Sequence, residues 1–167
     1  MGLPLAPIEP STYAQGSDVG IIVRRALSLY SELLEANSPT SKFIQALVLL
    51  EFLAYPYAYE SFKKVKKVVS RYLAKTGTEY ERLLVRFEEL TGKKDPATGQ
   101  EVGYRTRIVH IGDRLDNLLS GPDERRRLFE ELDSYIRPII DHMLSHSHMA
   151  FDEYLRVRDR LGPPDMR

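Results

Sequence analysis

The 167-residue chain contains no cysteine. This excludes a disulfide framework, a thiolate nucleophile, an iron–sulfur cluster and a cysteine-type zinc site. It fits a reducing compartment, and a cytoplasmic setting is the expectation. The chain also lacks net charge, because 24 lysines and arginines balance 24 aspartates and glutamates. That excludes a protein basic all over, but not one with a local basic face. No apolar run approaches the roughly 20 residues of a membrane helix. The longest, from Ala46 to Leu50, is broken by Glu51. The opening MGLPLAPIEP has neither a basic region nor an apolar run, so no signal peptide is expected. No segment sustains a two-residue alternation, which removes the usual signal for a sheet. Glycine-rich phosphate loops, GxGxxG and GxSxG are missing as well.

What is present is ordinary globular composition, 43% hydrophobic and 29% charged. A chain of this length can bury roughly 70% of its unfolded surface without staples. Residues 1–17 hold Pro4, Pro7 and Pro10, a density that opposes helix and favours an extended tail or linker. Helical periodicity begins at Ser17 or Asp18 and runs to near Asn37. Ser38 and Pro39 form a second start, cap residue then proline at the first helical position. The helix that follows, with Phe43, Ala46, Leu47, Leu50 and Leu53, is apolar on most sides and is expected to be the most buried; Pro56 ends it. Further helices are expected over 59–75, 78–90, 104–111 and 124–147, the last kinked by Pro138, and over 151–161. Residues 92–103 read as a polar loop with turn signals at Asp95-Pro96 and Thr98-Gly99. The expected fold is therefore all-α: a bundle of about five to seven helices over 18–161, with tails at 1–17 and 162–167.

The stretch Tyr104-Arg105-Thr106-Arg107-Ile108-Val109-His110-Ile111-Gly112-Asp113-Arg114 carries the most chemistry. A histidine can move a proton near neutral pH. A guanidinium can hold a phosphate oxygen and stabilise charge developing on it. Together they suit phosphodiester cleavage without a metal. Arg105 and His110 are five residues apart, about 500° on an ideal α-helix and so about 140° from one another. They do not share a face of a straight helix. Read by spacing alone, a surface arginine pair and a core histidine is the favoured description, since a lone Arg and His at this spacing is common.

This stretch resembles the signature of the HEPN superfamily (higher eukaryote and prokaryote nucleotide-binding domains): an Arg, four to six residues, then a His. It is most similar to the ApeA-like subgroup, whose motif runs Arg-polar-basic-Ile-Val-His-Gly. The phrase Leu47-Val48-Leu49-Leu50-Glu51-Phe52-Leu53 also resembles that subgroup's buried, glutamate-bearing helix. The likeness spans roughly residues 18–144. It implies a HEPN-like helical bundle and a metal-independent endoribonuclease needing no cofactor. Arg105 and His110 match the catalytic pair. Thr106 stands at the polar position, where Asn, Ser, Asp or His is usual, and Ile111 stands where Gly often follows the His. Arg107 is expected as a phosphate-binding helper, and Glu51 as the residue orienting the arginine or histidine. The resemblance further implies a homodimer with facing motifs, attack by the RNA 2′-hydroxyl, and a toxin or anti-phage defence setting with a regulatory or antitoxin partner. A non-catalytic RNA- or protein-binding module of the same shape is the alternative.

Residues 63–75 add six bases and no acid. Lys63, Lys67 and Arg71 recur every four residues, with Lys64 nearby. With Arg114, they are the expected RNA-binding set, and Tyr59 and Tyr72 are candidate stacking surfaces. A solvated helix face neutralised by Glu79, Glu81, Glu88 and Glu89 would look the same. His142 and His146, four apart, could chelate on one face, but third and fourth ligands are not evident and no metal is expected. A polar edge of the last long helix, or a contact near a dimer interface, accounts for them.

Overall fold

The structure, a computed structural model, describes residues 17–163. The tails expected at 1–17 and 162–167 therefore lie almost wholly outside the described residues. Helix α1 spans Asp18–Glu35, and Ser17 caps it by accepting the Gly20 N–H at 3.3 Å. Helix α2 spans Pro39–Ala54; Ser38 accepts the Ser41 N–H at 3.1 Å and proline occupies the first position, where a missing N–H costs nothing. Helix α3 (Phe62–Leu73) and helix α4 (Gly77–Thr91) form an antiparallel pair. Short helix α5 (Tyr104–Thr106) runs into a π-helical turn over Arg107–Ile111. Short α6 (Leu115–Leu118) precedes the 24-residue α7 (Pro122–Ser145), and α8 (Phe151–Arg158) closes the chain. The described residues contain eight helices and no sheet, an all-α bundle. Six of the helices are long; the division of 104–118 into shorter pieces follows from Gly112, whose φ of 85° ends the π turn.

Helix α2 is the centre, as its all-round apolarity predicts. Phe43, Ala46, Leu47, Leu49, Leu50, Leu53 and Ala54 are buried there, and α1, α3 and α7 pack around them. Each fully buried leucine contributes about 1.5–3 kcal/mol relative to exposure. Val48 is exposed and Glu51 half-buried on the same helix, so its one carboxylate is not within the core. Pro138 sits inside α7 without ending it. Arg158 of α8 donates to the Ala54 carbonyl at 3.1 Å, satisfying one of the orphan carbonyls at the α2 C-terminus.

The loop at 92–103 is a compact hairpin. Asp95 Oδ1 accepts the backbone N–H groups of Ala97 and Thr98, both at 2.8 Å. The Lys93 carbonyl takes the Val102 N–H at 2.7 Å. The chain thus returns to its starting point: a Cβ on Gly103 would stand 2.6 Å from Gly92 Cα. This close approach, available only to glycine, places α5 directly against the end of α4. Tyr104 then packs edge-on against Phe43 of α2, with 6.2 Å between ring centroids, and Ile108 joins the core from the next turn.

Candidate functional site

The Arg-x4-His stretch does not form the straight α-helix assumed from sequence. Residues 107–111 are π-helical, and the Gly112 N–H donates back to the Arg107 carbonyl, five residues earlier. The Asp113 N–H donates to the same carbonyl at 3.1 Å, and the Asp113 carboxylate takes the Arg107 Nε–H at 2.8 Å. Asp113 thus grips Arg107 by backbone and side chain and holds the wide turn closed. A turn that takes an extra residue brings positions five apart closer to one line than an α-helix does. The angular separation expected between Arg105 and His110 is corrected accordingly. Their surroundings differ: Arg105 reaches Glu51 of α2, while His110 is exposed and makes no hydrogen bond or ion pair among the described residues.

Arg105 finds Glu51, the half-buried carboxylate of α2, at 3.5 Å. Glu51 keeps 23% of its side chain exposed and Arg105 31%, so the pair is half sheltered. Burial pushes the Glu51 carboxyl above its ordinary value, and the neighbouring Arg105 charge pulls it back in part. Thr106 is not directed at a ligand: its hydroxyl donates to the Thr91 carbonyl at 2.8 Å and ties α5 to the end of α4. Arg107, expected as a phosphate-binding helper, is committed to Asp113 instead.

Arg105 and Thr106 line a groove of about 360 Å3 between α3, α4 and α5. Lys63, Lys66 and Phe62 of α3 line its other wall. The motif arginine and the basic helix, read separately from the sequence, therefore meet in one place. Lys66 is partly neutralised, 2.6 Å from Glu88, also a lining residue. Lys63 is exposed with no ion pair among the described residues.

The rest of the expected basic set divides. Lys67 and Arg71 are exposed without ion pairs among the described residues. Lys64 pairs with Glu60 at 2.8 Å, and Arg114 pairs with Asp116 at 3.4 Å, away from the groove lining. Of the acids expected to neutralise the basic helix, Glu88 does so, whereas Glu89 pairs with Arg86 and Lys93 and Glu79 accepts the Lys75 backbone N–H at 2.8 Å. Tyr59 is 89% exposed at the head of α3.

The histidines of α7 belong to a partly buried aromatic cluster. The rings of His142 and His146 stack at 4.5 Å, and His146 Nδ1 donates to the His142 carbonyl at 2.7 Å. His142 Nδ1 lies 3.1 Å from the Tyr154 hydroxyl, itself 2.6 Å from that of Tyr72. Burial, then the His146 charge, lowers the pKa of His142. No group of three or more His, Asp or Glu positioned to hold a metal occurs among the described residues. Tyr154, which sequence reasoning passed over, is the buried hub of this cluster; its only signal was a place on the apolar side of α8.

No helix among the described residues is long and apolar enough to cross a membrane. Compared with known proteins, the chain matches no family model, no curated protein and no solved structure.

Proposed function

We propose that the chain is a HEPN-type, metal-independent endoribonuclease, acting as a homodimer. The observation that carries this reading is the groove that Arg105 shares with the basic helix at Lys63 and Lys66. A phosphodiester laid there meets a guanidinium already oriented by Glu51 and a lysine free to neutralise the next phosphate. In the reaction, the 2′-hydroxyl oxygen bonds to the adjacent phosphorus while the bond from phosphorus to the 5′-oxygen breaks. The 2′-hydroxyl proton leaves to a base and a proton is delivered to the departing 5′-oxygen. His110 is the acid or base, and Arg105 stabilises the charge developing on phosphorus-bound oxygen. The products are a 2′,3′-cyclic phosphate and a 5′-hydroxyl, and only RNA has the required nucleophile.

A second copy would complete this chemistry. His110 makes no hydrogen bond or ion pair among the described residues and is flanked in sequence by Val109 at 49% and Ile111 at 61% exposure. Exposed aliphatic side chains around an unpartnered histidine suit a contact between copies. That contact would set the histidine of one protomer against the groove of its partner.

The alternative, a non-catalytic RNA- or protein-binding module, draws on two other observations: Thr106 and Arg107 are tied up internally, and Arg105 and His110 do not meet within one chain. Cleavage of single-stranded RNA in the presence of chelator decides between them. Arg105→Ala and His110→Ala should each lower the rate about 10²–10⁴-fold with RNA binding retained by His110→Ala. Cleavage unchanged in both variants removes the assigned site. A parent that binds RNA and never cleaves it establishes the module.

A further inference from the structure

The largest cavity described lies not at Arg105 but at the other end of the α3–α4 pair, where these helices meet α7. It measures about 440 Å3, within the range of small-ligand sites. The rings of Tyr72 and Tyr135 line it, with Lys75 and Arg82 at its walls. Lys75 and Arg82 are exposed and make no ion pair among the described residues. The one lining carboxylate, Glu79, is turned to the backbone N–H of Lys75. Ser134 and Pro138 of α7 complete the wall. Proline has no N–H, so Pro138 cannot donate to the Ser134 carbonyl as another helical residue would.

Two tyrosines and two unpaired cations together match one chemical class. A nucleotide has a flat base for the tyrosine side chains and a phosphate that suits Lys75 and Arg82. The cavity is also joined to the groove at Arg105. Lys63 lines that groove, Lys75 lines this cavity, and Lys67 and Arg71 stand between them, all at four-residue intervals. From Lys63 to Arg71, within α3, the helical rise is about 12 Å; the helix ends at Leu73 and Ala74 is extended, so Lys75 lies past its end. The helical part of the path matches about three to four stacked nucleotides at ~3.4 Å each.

The geometry points to a nucleotide-binding subsite at Tyr72, Lys75, Arg82 and Tyr135 that holds one base of a single-stranded RNA whose scissile phosphate lies at Arg105. The strand runs along the outer line of α3. Its contact at the far cavity fixes how much RNA must extend beyond the cleaved bond. The path rests on the ribonuclease reading; the nucleotide subsite itself does not.

Two titrations separate the claims. The four nucleoside 5′-monophosphates and inorganic phosphate are each titrated into the parent and followed by two-dimensional NMR. At least one nucleotide should shift resonances of Tyr72, Tyr135 and Arg82, and should bind more tightly than phosphate alone. Arg82→Ala, a change at an exposed residue, should weaken that binding about tenfold, the loss of one hydrogen bond to a charged group. No shift at these residues at millimolar nucleotide, or equal binding of inorganic phosphate, overturns the subsite. In the second titration, a labelled single-stranded octanucleotide is followed by anisotropy. Lys63→Ala and Arg82→Ala should both weaken it. If Lys63→Ala weakens it and Arg82→Ala does not, the strand misses the cavity, and the inferred path falls while the RNA reading stands. If a nucleotide occupies the cavity but the octamer does not bind, the RNA reading falls and the subsite stands.

Discussion

At the scale of single residues, Glu51 is the most informative side chain because it sits where its helix is otherwise apolar. A carboxylate there requires a cation, and the structure supplies Arg105 at 3.5 Å. The pairing is loose and partly wet, so burial outweighs attraction and the carboxyl titrates above its ordinary value. The consequence for stability has a definite sign. The folded state holds its proton to higher pH than the unfolded chain does. Stability contributed by the protonated form is therefore present below the unfolded value of 4.5 and falls as pH rises through the raised folded value. Glu51→Gln removes that titration. Thermal melts of parent and variant should show the variant gaining relative to the parent between pH 4 and pH 7. A difference between them that is the same at both values would mean that Glu51 is not strained by burial. If Glu51 also orients the arginine, the same variant should lose RNA cleavage while gaining stability, the trade expected of a residue kept for its site.

At the scale of elements, the helices were legible and the site's local geometry was not. Ser17, Ser38 with Pro39, and Pro56 carry their meaning within a few residues, because caps and proline act through the adjacent backbone. The burial of α2 followed from its lack of a polar face. The π turn at 107–111 has local features that do not by themselves name it, Gly112 at positive φ and Asp113 gripping Arg107. Its placement depends also on Tyr104 reaching Phe43, a contact that exists only once the bundle has formed. Arg105 and Lys63 meeting in one groove is likewise a product of the return of the 92–103 hairpin, which sequence marks only as a turn. The hairpin's pivot can be tested. Gly103 has an ordinary φ of −67°, so a larger residue is opposed by space and not by backbone conformation. Its added Cβ would fall 2.6–2.7 Å from Gly92 and Lys93 backbone atoms, which cannot swing aside as a side chain can. Gly103→Ala should cost about 1–3 kcal/mol in denaturant unfolding. It should also weaken RNA binding, because α5 is displaced from the groove wall. Gly99→Ala, in the same hairpin but with open space around the Cβ, separates the effects. Its φ of 69° costs about 1 kcal/mol, and RNA binding should be unaffected. Equal effects of the two variants on binding would show that the close approach at Gly103 does not position the site.

At the scale of the whole molecule, a net charge of zero conceals segregation. Residues 63–75 carry six bases and no acid. Within the fold, Glu60 and Glu88 neutralise Lys64 and Lys66, leaving Lys63, Lys67, Arg71 and Lys75 unpaired among the described residues. Lys63, Lys67 and Arg71 recur along α3 from the groove, and Lys75 lies past its end at the other cavity. Long-range steering by net charge is absent, so attraction to a polyanion must be local and must involve few charges. Few charges imply a modest, countable salt dependence. If Arg105, Lys63, Lys67 and Arg71 each neutralise one phosphate of a single strand and Lys75 with Arg82 a fifth, the plot of log K against log salt should have a slope of about −3.5, at about 0.7 per phosphate. Removing Lys67 and Arg71 together should reduce the slope by about 1.4 and lower affinity to similar degrees for different RNA sequences, since backbone contacts carry no sequence information. A basic face merely solvated, with no strand on it, would leave affinity flat between low and high salt. A slope much steeper than five contacts allow would instead place the strand across a second copy of the chain, whose basic line would then be counted as well.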